Sequence, residues 1–261
     1  MQEVPSSFSR LASSLALALC ALGATPARAD TVQVAVAANF TAPMQKIAAD
    51  FEKASGHQAV LVFGSTGKFA AQIKNGAPFG ILLAADDETP KRLAEDGLVA
   101  GPRFTYAIGR LVLYSAKPGF VDERGEVLKA GRYERLSIAN PRVAPYGAAA
   151  VEALQALGLR SAVEAKLVMG ESITQAFQFV ASGNAELGLV ALSQVAAPDK
   201  PAPGSWWVVP DHLYSPIRQD AALLKTGEAN RAARALLDYL QSEPAQAVIR
   251  SFGYGLPAVQ K

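Results

Sequence analysis

Cysteine is nearly absent from this 261-residue chain: Cys20 is the only one. It falls in the first thirty residues, and everything after them is free of thiols. That excludes a disulfide framework and a cysteine nucleophile from the body of the protein. Histidine is almost as scarce, with His57 and His212 alone. Neither has a His, Cys, Asp or Glu partner at metal-ligand spacing, and His57, just ahead of a strand, reads as a solvated or hydrogen-bonded residue. Long apolar runs are missing after the first segment, where no stretch reaches the roughly 18 consecutive apolar residues of a membrane span. A surplus of one charge is missing too.

The first segment reads as an export leader. Arg10 supplies a thinly charged start, Leu11 to Leu22 is uncharged and about as long as a signal core, and Ala27-Arg28-Ala29 is a small-x-small cleavage site. Cleavage after Ala29 makes Asp30 the first mature residue and the protein periplasmic. Leu19 stands before Cys20, where lipid attachment needs a small residue, so a lipid anchor is disfavoured. Removing residues 1–29 leaves 23 basic residues against 22 acidic ones. That near-neutral balance lacks the basic stripe of a nucleic-acid surface.

The rest alternates strand and helix patterns. Val32–Ala37, Ala59–Phe63 and Ile81–Ala85 are short apolar runs that read as buried strands. Between them, Met44, Ile47, Ala48 and Phe51 recur at helical spacing over Thr41–Ala54, with Gly56 as a stop. Helices follow at Lys68–Lys74 and about Thr89–Glu95. The pattern restarts with a long extended run, Tyr106–Tyr114. Strands then read at Arg135–Ile138, Leu187–Val190, Trp206–Val209 and Asp220–Leu224, and Val163–Val168 spans the approach to another. Helices read at Tyr146–Leu157, Ile173–Ser182, Glu228–Gln241 and Pro244–Ser251. The expected architecture is α/β with two lobes, each a parallel-rich sheet with flanking helices. Lobe 1 takes residues 30–110, lobe 2 residues 111–218, and residues 219–261 return with helices packing mainly on lobe 1. Such a fold binds its ligand in the crevice at the carboxyl ends of the strands.

Catalytic apparatus is hard to find. Gly64-Ser65-Thr66-Gly67-Lys68 looks like a phosphate loop, but Val62 and Phe69 occupy positions where that motif needs Gly and Ser or Thr. Asp86-Asp87-Glu88 reads as a helix N-terminal cluster rather than an acid/base pair. What recurs instead is a helix start with small or hydroxyl-bearing residues after a strand: Asn39, Ser65-Thr66, Pro145-Tyr146-Gly147 and Glu171-Ser172-Ile173. Each start offers unsatisfied backbone N–H groups and the positive end of a helix dipole. Any one of them is an ordinary cap. Two per lobe, brought together by a cleft, would make an anion site without Lys or Arg.

These loops also carry a family resemblance. Val34-Ala35-Val36-Ala37-Ala38-Asn39-Phe40 resembles the first ligand loop of periplasmic molybdate-binding proteins. Phe63-Gly64-Ser65-Thr66-Gly67, Asn75-Gly76-Ala77-Pro78, Ala84-Ala85-Asp86-Asp87, the run from Phe104 to Ser115, Ala139-Asn140-Pro141, Ala144-Pro145-Tyr146-Gly147 and Gly253-Tyr254-Gly255-Leu256-Pro257 are similar to the same family. The likeness spans nearly all of the mature chain. It implies a two-lobed solute receptor of an ABC importer that carries molybdate or tungstate, needs no cofactor, works as a monomer with membrane permease subunits, and is not an enzyme.

Position by position, the resemblance implies an oxyanion site of Ala38, Asn39, Thr66, Tyr146 and Ile173. Asn39, Tyr146 and Ile173 would donate backbone N–H groups, and Thr66 a hydroxyl and an N–H, with Ser65 beside it as a competitor. Three positions depart from the family pattern. Ala191 stands where many members have a ligand tyrosine, Ala38-Asn39 replaces a usual Ser or Thr, and Gly80 replaces a common Asp. Two other readings stay open at this point: a receptor of the same fold for sulfate, phosphate or a small organic acid, and a secreted phosphoryl-transfer enzyme. The organic acid would normally recruit an arginine fork, and Arg142 is the one arginine near a ligand loop. The enzyme would need a nucleophile–base pair or a metal cluster.

Overall fold

A computed structural model describes residues 29–257. All but the last residue of the leader therefore lies outside the described residues. Ten strands form two five-stranded sheets. They are β1 (Thr31–Ala37), β2 (Gln58–Gly64), β3 (Ile81–Leu83), β4 (Phe104–Gly109), β5 (Leu111–Ser115), β6 (Leu136–Ala139), β7 (Leu167–Gly170), β8 (Leu187–Ala191), β9 (Ser205–Val208) and β10 (Ile217–Leu223). The first sheet runs β2-β1-β3-β10-β4 and the second β7-β6-β8-β5-β9.

Each sheet is mixed rather than purely parallel. β1 pairs in parallel with β2 and β3, while β10 runs antiparallel to β3 and β4. In the second sheet β6 is parallel to β7 and β8, while β5 is antiparallel to β8 and β9. The antiparallel pairs are those made by the strands that carry the chain between sheets. A strand arriving from the other lobe has no crossover helix behind it, so parallel pairing is not imposed.

The helices are α1 (Thr41–Ser55), α2 (Thr66–Lys74), α3 (Glu88–Glu95), α4 (Glu126–Ala130), α5 (Pro145–Ala156), α6 (Arg160–Val163), α7 (Ile173–Ala181), α8 (Leu192–Val195), α9 (Arg231–Leu240) and α10 (Glu243–Ser251). α1 buries Met44, Ile47 and Phe51 and stops where Gly56 turns left-handed at φ 73°, its N–H closing on the Glu52 carbonyl. Each of those three side chains contributes roughly 1.5–3 kcal/mol by leaving water. Along β1 the alternation splits the core of lobe 1: Val32, Val34 and Val36 face α1, α9 and α10, while Ala35 faces Phe69, Leu82 and Leu93. Lobe 2 has one core, built on Leu111, Leu113, Ile138, Leu154 and Leu189.

The expected single run Tyr106–Tyr114 is two strands. Ile108 exchanges backbone hydrogen bonds with Gly255 in lobe 1, at 2.8 and 2.9 Å. Two residues later the Arg110 carbonyl accepts from Leu192 in lobe 2 at 3.0 Å. The chain changes sheets where its partners change, and an apolar run gives no sign of that. Val163–Val168 is mostly helical, with α6 and a 3-10 turn before β7 begins at Leu167. The short helices α4 and α8 were not foreseen.

Candidate functional site

Four backbone turns converge where the two sheets face each other. A 3-10 turn over Ala38–Phe40 leads from β1 into α1, and β2 passes through Ser65 into α2. In lobe 2, α5 starts at Pro145 after β6, and α7 starts at Ile173 after β7. Between them lies a small, tight cavity lined by Ala37, Ala38, Asn39, Gly64, Ser65, Thr66, Ala85, Ala144, Pro145, Tyr146 and Ile173. The five residues expected from the sequence all line it, and its lining holds no charged side chain.

The local chemistry explains why these turns present N–H groups. Pro145 at the first position of α5 has no N–H, so Tyr146 carries the first donor of that helix. Gly147 seats the turn: a side chain there would strike the Ala139 backbone at the end of β6. In α7, Ser172 caps the helix by accepting from Gln175 N–H at 3.3 Å, and Ile173 begins the first turn. The first turn of any helix leaves its N–H groups without intrahelical acceptors.

The two hydroxyls differ. Thr66 Oγ1 accepts the Ala85 N–H at 2.9 Å, which leaves its own proton to give. Ser65 is 5% exposed, and its hydroxyl has no hydrogen-bond partner. At the N-cap of α2 it would ordinarily accept from an N–H of the first turn, but Gly67 N–H donates instead to Val143 of lobe 2 at 2.9 Å.

Asn39 does something the sequence did not reveal. Its side-chain amide donates to Gln219 Oε1 and to the Tyr254 hydroxyl, both at 2.9 Å. Its carbonyl accepts from Ser193 Oγ at 2.9 Å and from Tyr254 at 2.8 Å. Gln219 also accepts from Tyr106 at 3.1 Å and donates to the Tyr146 hydroxyl at 3.3 Å. This buried network therefore runs behind the cavity from lobe 1 to lobe 2. Burial, with the neighbouring Tyr254 and Tyr106 adding to it, pushes the Tyr146 hydroxyl well above its ordinary value. Gly109 makes the packing possible, since a Cβ there would lie 2.8 Å from both Gln219 Nε2 and Tyr146 Cζ.

The departures have physical reasons. Ala191 is fully buried at the end of β8, pairs with Leu111, and donates its N–H to Gln194 Oε1 at 3.1 Å. Gly80 lies against Val32 and Gly227; a Cβ would meet Val32 Cγ2 at 2.8 Å, so a larger residue has no room. Arg142 lines an adjoining, larger cavity between the lobes together with Asp86, Arg92 and Arg218, not the small one. Asp86 accepts the Thr89 N–H at 2.7 Å and its hydroxyl at 3.0 Å, a capping arrangement at α3. His57 Nδ1 accepts the Asp30 N–H at 3.1 Å. Among the described residues no group of three or more His, Cys, Asp or Glu could hold a metal ion, and no helix is long and apolar enough to cross a membrane.

Comparison with known proteins bears on this uncharged, two-sided cavity. The family described as bacterial extracellular solute-binding protein matches residues 32–255. The chain belongs to that family. Within it, this solute-binding protein is 59% identical over 251 residues to the molybdate-binding protein ModA of Azotobacter vinelandii, covering 96% of this chain and 98% of that protein. It is 50% identical over 244 residues to the ModA of Rhodobacter capsulatus, covering 93% and 95%. The solved structure of the Azotobacter vinelandii periplasmic molybdate-binding protein superposes with a TM-score of 0.84 at 40% identity, covering 87% of this chain and 99% of that one.

Proposed function

We propose that this protein is the periplasmic receptor of an ABC importer, that it captures molybdate or tungstate between its lobes, and that it delivers the anion to membrane permease subunits without catalysing a reaction. The observation that carries the reading is the cavity itself: backbone turns from both lobes meet there, and no charged side chain lines it. The names of the relatives at 59% and 50% identity support it. In this reading the anion is held by N–H groups of Asn39, Thr66, Tyr146 and Ile173, by the Thr66 hydroxyl, and by close packing of Ala38. A hydrogen bond to a charged acceptor contributes roughly 1.5–3 kcal/mol, so several together compensate for the lost hydration of a dianion. Donors from two lobes engage at once only when the lobes come together, so binding and hinge closure are one event.

Selectivity follows from size and from the uncharged, donor-rich lining. Sulfate is smaller and leaves some donors unmatched. A protonated phosphate offers one acceptor fewer to the backbone N–H groups. The receptor works as a monomer, exported by the leader and cleaved after Ala29.

The test is titration calorimetry of the mature protein with molybdate, tungstate, sulfate and phosphate, paired with thermal melts, since a ligand that binds only the folded form raises the melting temperature. Molybdate and tungstate are expected to bind tightly and the others weakly. Sulfate binding more tightly than molybdate overturns the selectivity, and no response to either group-6 anion overturns the function.

A further inference from the structure

The Ser65 hydroxyl is an orphan in a well-satisfied interior. Among the described residues, the Ser65 and Ser137 hydroxyls are buried without a hydrogen-bond partner, and of the two Ser65 alone lines the cavity. Buried polar groups are nearly always paired, and each exception calls for a physical reason. The local reason is visible. Ser65 precedes α2 with an extended backbone, φ −80° and ψ 144°, the geometry of a capping serine. Yet Gly67 N–H, one of the two donors such a serine ordinarily takes, is bonded across the cleft to Val143. The other hydroxyl of this turn, Thr66 Oγ1, already accepts from Ala85. The turn thus holds two hydroxyls with different surroundings: one tied to the scaffold through its lone pair, and one with neither donor nor acceptor.

We infer that Ser65 Oγ is a direct hydrogen-bond donor to the bound oxyanion, adding a hydroxyl to the set that the family resemblance assigns. The inference rests on the oxyanion reading given under Proposed function. The Ser65 oxygen accepts no N–H of α2 and its proton has no acceptor in the protein, so turning that proton inward costs α2 nothing. A tetrahedral anion offers acceptors in several directions and can engage Ser65 and Thr66 together. The contact across the cleft that displaces Ser65 from capping is also a contact of the closed lobes.

The experiment is calorimetry with molybdate on the mature protein and its Ser65→Ala and Thr66→Val variants, with ligand-free thermal melts of all three. The expected result for Ser65→Ala is an affinity lower by roughly 10- to 100-fold, the effect of one hydrogen bond to a charged acceptor, with a ligand-free melting temperature equal to or above wild type. Undiminished molybdate affinity in Ser65→Ala overturns the assignment, as does a fall in its ligand-free melting temperature, which would make the hydroxyl structural. Failure of the wild-type protein to bind molybdate is a different outcome: it removes the oxyanion reading, and the Ser65 assignment goes with it.

Discussion

Gly67 donates its backbone N–H to the carbonyl of Val143 at 2.9 Å, joining the first turn of α2 in lobe 1 to the loop before α5 in lobe 2. The approach is as close as backbone allows: a Cβ on Gly67 would lie 2.9 Å from Val143 Cα. Gly67→Ala is therefore expected to hold the lobes apart and weaken molybdate binding about tenfold or more, equivalent to 1.4 kcal/mol or more. The ligand-free melting temperature should move little, because the contact lies at the rim and not in either core. Calorimetry checks this, and an unchanged dissociation constant would make the Gly67–Val143 contact incidental to capture.

The network behind the cavity predicts a different signature. Gln219 is fully buried and accepts from Asn39 and Tyr106 at once. Gln219→Leu keeps the volume and strands one proton of the Asn39 amide, at a cost of about 1–3 kcal/mol, while Tyr106 keeps the Ala84 carbonyl as acceptor at 2.9 Å. Urea unfolding of the ligand-free protein should show the midpoint falling by a corresponding amount. A midpoint within error of wild type would mean that water satisfies that proton.

Asp86 gives stability a pH dependence of definite sign. Burial raises its carboxyl above the usual 3.8, opposed in part by the Thr89 N–H and hydroxyl. The folded protein then keeps that proton when the unfolded chain has lost it. Stability falls as pH rises from 3.8 through the folded value, and stays lower above it. Asp122 is shifted the other way by backbone N–H groups of Arg124 and Glu126, but it is common to both proteins when wild type is compared with Asp86→Asn. The difference between their unfolding free energies across acid pH should carry the Asp86 slope alone, and parallel curves would sink this account.

Ligand capture should be insensitive to pH over the neutral range. The one ionisable side chain that lines the cavity is Tyr146, and its hydroxyl is pushed well above its ordinary value. No residue there titrates between about pH 6 and pH 9, where free histidines and amino termini do. Molybdate dissociation constants measured across that range should agree within experimental error. A change of tenfold would point to a charged group taking part.

Much of this was legible in the sequence, for physical reasons that also mark where legibility ends. The apolar spacing of Met44, Ile47 and Phe51 marks α1 because that face is buried against a sheet. The turns at Asn39, Ser65, Tyr146 and Ile173 can be read because strand-to-helix junctions leave a local trace in small and capping residues. Gln219 and Tyr254 left none. They meet Asn39 from 180 and 215 residues away, and a glutamine in an apolar strand looks like a solvent-facing one. The split of Ser65 from Thr66 was hidden as well, because it depends on a carbonyl at Val143 that only the assembled lobes supply.

Arg110 alone stands between the last residue of β4 and the first of β5. Successive Cα atoms are about 3.8 Å apart across a trans peptide, so this tether cannot lengthen. A tether this short favours a swing of the two bodies over a slide, and the return path, residues 209–216, is the longer of the two. In the proposed closing motion, guest size becomes an angle. An oversized guest stops the swing before Gly67 reaches Val143, and an undersized one lets the rim meet over a loosely held anion. Discrimination is then a matter of mechanical stops, set by chain connectivity as much as by the atoms that touch the guest.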